Sequence, residues 1–182
     1  PGDIMAFNVI TGKLEWAFHT IPYPGEPGNE TWEDPDSYKS ETVGAANNWA
    51  GMSLDEETGI LYVPTGSAAP DFYGGQRYAN TLLALDAQTG KLLWHYQFTH
   101  HDLWDRDPPA PPNLLTITRA GEKIPAEAQV TKQGYVFLFN RATGEPLFDI
   151  EELPVPKSNL RGEKTWATQP FPIKPRPFAR QS

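Results

Sequence analysis

The chain of 182 residues contains no cysteine. That excludes a disulfide framework, a thiolate metal site and cysteine-based haem attachment. It is compatible with an oxidising compartment. Cations are scarce, with 15 Lys+Arg against 23 Asp+Glu and a net charge of -8. A nucleic-acid surface is normally basic, so this balance argues against one. No apolar run approaches the roughly 18 residues of a membrane-spanning helix. An initiating Met and a signal-peptide pattern are also missing: the chain opens Pro1-Gly2-Asp3 and enters a strand pattern at Ile4-Met5-Ala6-Phe7-Asn8. The expectation is a piece of a longer chain. What the sequence does have is Pro (19), Gly (15), Trp (6), Tyr (7) and Phe (9). That mixture predicts a loop-rich all-β protein of one-domain size.

A repeat organises the strands. Ala6-Phe7-Asn8-Val9-Ile10-Thr11-Gly12-Lys13-Leu14-Glu15-Trp16 returns as Ala84-Leu85-Asp86-Ala87-Gln88-Thr89-Gly90-Lys91-Leu92-Leu93-Trp94. A weaker copy runs from Leu138 through Asn140, Thr143 and Gly144 to Phe148. In each, Asn or Asp stands two residues after a small or apolar residue, Thr-Gly follows at five and six, and an aromatic at ten. Asn or Asp supplies the side-chain acceptor of a tight turn and Gly its positive-φ position. Three copies at this spacing predict repeated antiparallel units of propeller-blade size.

Taken in order, residues 20–43 are rich in Pro, Gly and acids and predict a long loop. Trp49 to Asp55, Ile60 to Pro64, Thr81 to Asp86 and Lys91 to Phe98 predict four antiparallel strands, with Ser67 to Tyr78 a polar loop between the second and third. Pro108-Pro109-Ala110-Pro111-Pro112 cannot be a central strand and predicts a rigid connector. Leu114 to Thr118, Ala126 to Thr131, Tyr135 to Asn140 and Pro146 to Ile150 predict the next unit. The tail from Lys157 is Pro-rich and aperiodic and is expected to be extended loop, leaning on parts of the protein outside this chain. The expected division is 1–19 as the end of one blade, 44–98 as a complete blade, 108–150 as the next and 151–182 as an extended tail.

Between the two units lies His100-His101-Asp102-Leu103-Trp104-Asp105-Arg106-Asp107. A carboxylate here is a candidate general base, but spacing does not rank Asp102, Asp105 and Asp107. Adjacent histidines seldom converge on one ion, and no third ligand has suitable spacing. His100 and His101 are therefore expected to hold the loop in shape, and Trp104 to pack it. In a four-stranded antiparallel unit the interblade connection and the second turn lie at one end, the first and third turns at the other. That places Asp105, Trp49, the Ser67 loop and Lys132 at one end, where ligand sites usually form, and the Thr-Gly turns opposite.

The Ala-x-Asp-x-x-Thr-Gly-x-x-x-Trp repeat resembles the tryptophan-docking motif of quinoprotein dehydrogenases, eight-bladed propellers that bind pyrroloquinoline quinone (PQQ). His100-His101-Asp102-Leu103-Trp104-Asp105, Asn48-Trp49-Ala50 and Thr131-Lys132-Gln133-Gly134 resemble that family's active-site segments, most closely those of the membrane-type glucose/quinate dehydrogenases. The resemblance runs from Gly2 to about Phe171. It implies a fold of two to three blades of a partial eight-bladed β-propeller. It also implies an oxidoreductase acting on a sugar, polyol or cyclic alcohol, with hydride passing from substrate to PQQ. By the same resemblance Asp105 is the general base, Lys132 the basic residue at the quinone oxygens, and Trp49 the aromatic floor beneath the cofactor. Trp16 and Trp94, at the repeat position, are expected to be structural.

The family also holds Ca²⁺ or another divalent cation on oxygen ligands. Ser67 stands where the alcohol-oxidising branch supplies an Asn, and Ala69 where the glucose branch has a hydroxyl residue, so Ser67 is the chain's candidate metal ligand. The other ligands are expected from outside the chain. Implied partners are a small alcohol or sugar and a membrane quinone or cytochrome as electron acceptor. The implied location is the periplasm, with any membrane association through parts outside this chain. The 182 residues alone are expected to be inactive. The alternative is a non-catalytic propeller scaffold that binds proteins, but such a scaffold has no reason to keep Trp49, Asp105 and Lys132 on one face.

Overall fold

The computed structural model describes residues 2–32, 34–69 and 78–181. Every strand pairing is antiparallel, and the all-β expectation holds. Strands β1 (Ile4–Phe7) and β2 (Leu14–Phe18) form a hairpin. The long loop that follows carries two short 3-10 turns, Asn29–Thr31 and Ser37–Lys39. It ends in β3 (Gly44–Ala45). A four-stranded sheet comes next, built from β4 (Ser53–Asp55), β5 (Ile60–Pro64), β7 (Thr81–Asp86) and β8 (Leu92–Gln97) in that order. The two-residue β6 (Ala68–Ala69) between β5 and β7 pairs with β3. The expected polar loop from Ser67 thus contains a strand pair at its start, and its residues 70–77 lie outside those described.

A three-stranded sheet follows, in the order β11 (Val136–Asn140), β10 (Glu122–Val130), β9 (Asn113–Arg119). The expected fourth strand at Pro146 to Ile150 does not form. Pro146 has no N–H to give the ladder, and a single bridge to Phe139 is all that pairs there. The chain then makes a separate hairpin, β12 (Ile150–Pro154) with β13 (Thr168–Pro172). This corrects the expectation of an extended tail over 151–182. The tail also leans on this chain: Phe178 N–H donates to the Gly134 carbonyl at 2.9 Å and Tyr135 Oη to Gln181 at 2.9 Å. Another correction concerns Trp49, which precedes its strand, since β4 starts only at Ser53.

The repeat turns are built as their residues require. Asp86 Oδ1 accepts from the Gln88 and Thr89 N–H groups and from the Thr89 hydroxyl, at 2.8–3.0 Å. Asn8 and Asn140 accept in the same way. A fourth copy sits between β4 and β5, where Asp55 accepts from Glu57 N–H and its carbonyl from Gly59 N–H. Burial works against charge on Asp55. The Thr58 hydroxyl and the Arg141 guanidinium, 3.0 Å away, outweigh it and hold the carboxyl below its ordinary value. The Asp55 and Asp86 turns lie together, joined by Ala87 N–H to the Gly59 carbonyl at 2.9 Å.

Each repeat tryptophan docks on the turn of the next unit. Trp16 Nε1 donates to the Ala87 carbonyl at 3.1 Å and Trp94 Nε1 to the Arg141 carbonyl at 3.2 Å. The indole lies against a glycine: a Cβ on Gly90 would come 2.5 Å from the Trp16 ring, and one on Gly144 2.6 Å from the Trp94 ring. Gly90 and Gly144 also take φ of 71° and 75°, which L side chains resist. The glycine therefore serves the turn and the docking contact at once.

The main core lies between the four-stranded and three-stranded sheets. Tyr62, Leu82, Ala84 and Phe98 meet Phe137 and Phe139, with Trp94 and Tyr96 packed against them. The rings contact at tilted angles, with Phe98 and Phe137 centroids 5.0 Å apart and Tyr96 and Phe139 4.8 Å apart. Each fully buried Phe contributes about 1.5–3 kcal/mol, so this seam fixes the two sheets against each other. Among the described residues no helix is long and apolar enough to cross a membrane.

Candidate functional site

Four side chains from three segments meet at the end of the sheets away from the Thr-Gly turns. Lys132, just beyond β10, donates from Nζ to Asp105 Oδ1 at 2.9 Å and to Asp107 Oδ1 at 2.5 Å. Trp49 Nε1 donates to the other Asp107 oxygen, Oδ2. The Lys132 ammonium lies 5.3 Å from the Trp49 ring centroid. Trp49, Asp105 and Lys132, singled out in the sequence, are thus one cluster, with Asp107 at its centre.

The three aspartates that spacing could not rank differ sharply in surroundings. Asp102 is buried, and its oxygens accept from Ser67 Oγ (2.9 Å), Asn80 Nδ2 (2.8 Å), Trp104 N–H (2.9 Å) and Arg106 N–H (2.6 Å). Such a carboxylate anchors its loop. Asp107 is 7% exposed at the side chain, with one oxygen on Trp49 and the other on Lys132. Asp105 is 58% exposed and is held by Lys132. Its backbone takes a left-handed φ of 60°. Of the three it is the carboxylate open to an incoming molecule. Asp107 was legible only as an alternative to Asp105. Its spacing of two from Asp105 signals that one cation can reach both.

The Trp49 loop is pinned by Asn48, whose Nδ2 donates to the Gly51 and Pro64 carbonyls at 2.8 and 2.7 Å. Gly66 lets the indole and the Asp107 carboxylate close over the chain: a Cβ there would lie 3.1 Å from Trp49 Cδ1 and 3.2 Å from Asp107 Oδ2. Ser67 is not in the Trp49 cluster. Its hydroxyl donates to Asp102 and accepts from Asn80 Nδ2 at 3.0 Å.

The histidine next to the site is a support. His100 Nδ1 meets Gln97 Oε1 at 2.8 Å and Nε2 meets Glu152 Oε1 at 2.9 Å. Its backbone exchanges two hydrogen bonds with the buried Gln169 side chain of β13. The hairpin of the tail thus braces the loop that carries Asp105, which sequence patterning missed. Trp104, expected to pack that loop, is 37% exposed instead, with the Arg106 guanidinium 4.7 Å from its ring. The residue after Asp102 that packs inward is Leu103.

Burial works against the Lys132 charge, but the bonds from Asp107 and then Asp105 outweigh it and raise the ammonium above its ordinary value. Lys132 therefore stays cationic through neutral pH. The stability its pairing adds is complete below 10.5 and is lost as pH rises through the raised folded value. A pocket of about 900 Å³ opens beside the cluster, lined by Asp105, Arg106, Lys132 and Gln133 together with tail residues Lys157, Glu163 and Arg180.

Comparison with known proteins shows the family of the chain. Quinoprotein glucose dehydrogenase A of Acinetobacter calcoaceticus is 40% identical over 187 residues, covering 93% of this chain and 22% of the relative. Quinate/shikimate dehydrogenase (quinone) of Acinetobacter baylyi is 38% identical over 180 residues, covering 95% of this chain and 22% of the relative. The chain therefore spans 22% of the length of each. Among solved structures, quinohemoprotein alcohol dehydrogenase from Comamonas testosteroni superposes with a TM-score of 0.70 at 27% identity, over 94% of this chain and 28% of that one. The family model for the PQQ glucose/ethanol/alcohol dehydrogenase β-propeller domain matches residues 1–182. With its docked tryptophans and antiparallel sheets, the chain belongs to the PQQ-dependent dehydrogenase β-propeller family.

Proposed function

We propose that the chain is two to three blades of an eight-bladed propeller in a periplasmic PQQ-dependent dehydrogenase that oxidises a sugar, polyol or cyclic alcohol. The observation that carries this reading is the joining of Trp49, Asp107, Lys132 and Asp105 at one end of the sheets. Relatives named as glucose and quinate/shikimate dehydrogenases support the substrate class. In this reading residues 1–19 end one blade, 44–98 make a complete blade and 108–150 belong to the next. Residues 151–182 add the hairpin that braces the loop.

The residues suit a flat, anionic, conjugated cofactor. Trp49 is 51% exposed and offers an aromatic surface, Gly66 lets the indole pack closely on its own chain, and Lys132 sets a cation over the ring, 5.3 Å from its centroid. PQQ, when bound, supplies the oxidising quinone that takes two electrons from the substrate carbon. Asp105 takes the proton of the substrate hydroxyl at a carboxylate oxygen. Lys132 stabilises negative charge that develops next to it. Asp107 positions both Trp49 and Lys132. A divalent cation fits less well. It wants six to eight oxygens, and the described residues hold no group of three His, Asp or Glu side chains able to bind one. Ser67 has committed its proton to Asp102, so it enters only through a remaining lone pair, and no step is derived through the metal. A membrane quinone or a cytochrome receives the electrons.

The test uses the full-length enzyme, reconstituted with PQQ and Ca²⁺ and assayed for quinone absorbance and substrate-dependent dye reduction. Trp49→Ala is expected to weaken PQQ binding about tenfold. Lys132→Met is expected to lower kcat by about 10²–10³ with the cofactor still bound. Absence of PQQ binding by the full-length protein would leave the scaffold reading in its place.

A further inference from the structure

Strand β10 carries a feature that the site chemistry does not use. Glu127 and Gln129 alternate along it and Thr131 continues the row just past its end, and all three are buried, Glu127 at 0% exposure. Glu127 stands opposite Phe139 and Gln129 opposite Phe137, so this polar row shares the face that packs on the four-stranded sheet. Alternation on a strand normally turns the polar residues outward, and a Glu is almost never fully buried without a partner.

Among the described residues no hydrogen-bond partner meets either Glu127 carboxyl oxygen, Gln129 Oε1, Thr131 Oγ1 or Gln133 Oε1. The amide orientations are fixed. Gln129 Nε2 donates to the Ala110 and Val130 carbonyls at 2.9 Å, and Gln133 Nε2 to Thr99 Oγ1 at 3.0 Å. The acceptor ends therefore point the other way in both. Among the described residues no cation pairs with Glu127: Arg141, whose N–H bonds the Pro125 carbonyl nearby, gives its guanidinium to Asp55. The acceptors at 127, 129 and 131 recur every second residue, a repeat of roughly 6.6 Å in extended chain, and Gln133 follows in the turn that Gly134 N–H closes on the Thr131 carbonyl. Gln133 lies on the wall of the pocket beside Asp105.

We infer that a file of buried water runs between the two sheets from the pocket at Gln133, past Thr131 and Gln129, to Glu127, which closes it as an un-ionised carboxylic acid. The neutral acid has a proton to donate into the file and an oxygen to accept from it. Buried water with two to four polar partners is a regular part of protein interiors. Burial pushes the Glu127 carboxyl well above its ordinary value, in agreement with a neutral group.

The test is infrared spectroscopy on the full-length enzyme at neutral pH. An un-ionised carboxyl C=O band is expected that shifts in D₂O and is lost in Glu127→Gln, an isosteric change. The shift should be complete long before global hydrogen exchange, because the file opens to the pocket. Thr131→Val, which removes a link without changing shape, should slow it toward the global rate. A crystal structure of the unaltered full-length enzyme should show ordered water within hydrogen-bond reach of Glu127, Gln129 and Thr131. A carboxylate band only, a dry seam, or a shift that waits for global opening would each overturn the inference.

Discussion

Asp105→Asn in the full-length enzyme is expected to lower kcat by about 10²–10⁴ while PQQ stays bound in full. The amide keeps the shape of the side chain but has no basic oxygen to take a substrate proton. Lys132 keeps its contact with Asp107 in the variant, so the cation and the Trp49 ring stay in place. The other two aspartates give the controls. Asp107→Asn loosens both Trp49 and Lys132 and should first be read in weaker PQQ binding. Asp102→Asn presents an amide to four donors in a buried place and should be read in stability. Unchanged turnover in Asp105→Asn, measured as kcat with cofactor occupancy checked by absorbance, would remove Asp105 from the base role.

Gly90→Ala should destabilise the protein by about 2–4 kcal/mol, as the sum of a strained positive φ and an overpacked indole contact. The added Cβ would stand 2.5 Å from Trp16 Cε3 and 2.7 Å from Cδ2. Nothing rigid can yield there, because Trp16 is held by its bond to the Ala87 carbonyl. The two contributions separate in a double-mutant cycle. In a Trp16→Ala background the crowding vanishes and only the backbone strain is left, so the cost of Gly90→Ala should fall by about 1–3 kcal/mol. Equal costs in both backgrounds, measured by chemical denaturation, would mean that the docking contact does not constrain the glycine.

What could be read from the sequence was what local chemistry decides. Asn8, Asp86 and Asn140 announce their turns because side-chain acceptor, Thr and Gly sit within five residues of one another. Trp49, Asp105 and Lys132 could be placed at one end because strand alternation fixes which turns share a side. Ranking the aspartates needed tertiary structure: Asp102, Asp105 and Asp107 are the same residue type within six positions, and only burial and partners distinguish an anchor, an open carboxylate and a bridge. The hairpin β12–β13 was hidden because Pro-rich, aperiodic segments give no periodic signal, and its bracing contact, Gln169 on His100, spans 69 residues. The inward row on β10 was hidden for the opposite reason, since its clean alternation reads as a solvent-facing strand.

The docking of each tryptophan on a later turn has a consequence for synthesis on the ribosome. Trp16 waits for a carbonyl 71 residues downstream, and Trp94 for one 47 residues downstream. At roughly 5–20 residues per second, the first indole is without its seat for about 4–14 s and the second for about 2–9 s. During that interval a half-made unit presents a large apolar ring and an unfilled sheet edge to the cell. Ribosome pausing between Trp94 and Arg141 would lengthen the exposure. A chaperone that recognises emerging aromatic segments would meet this chain at its tryptophans before any catalytic residue had a partner.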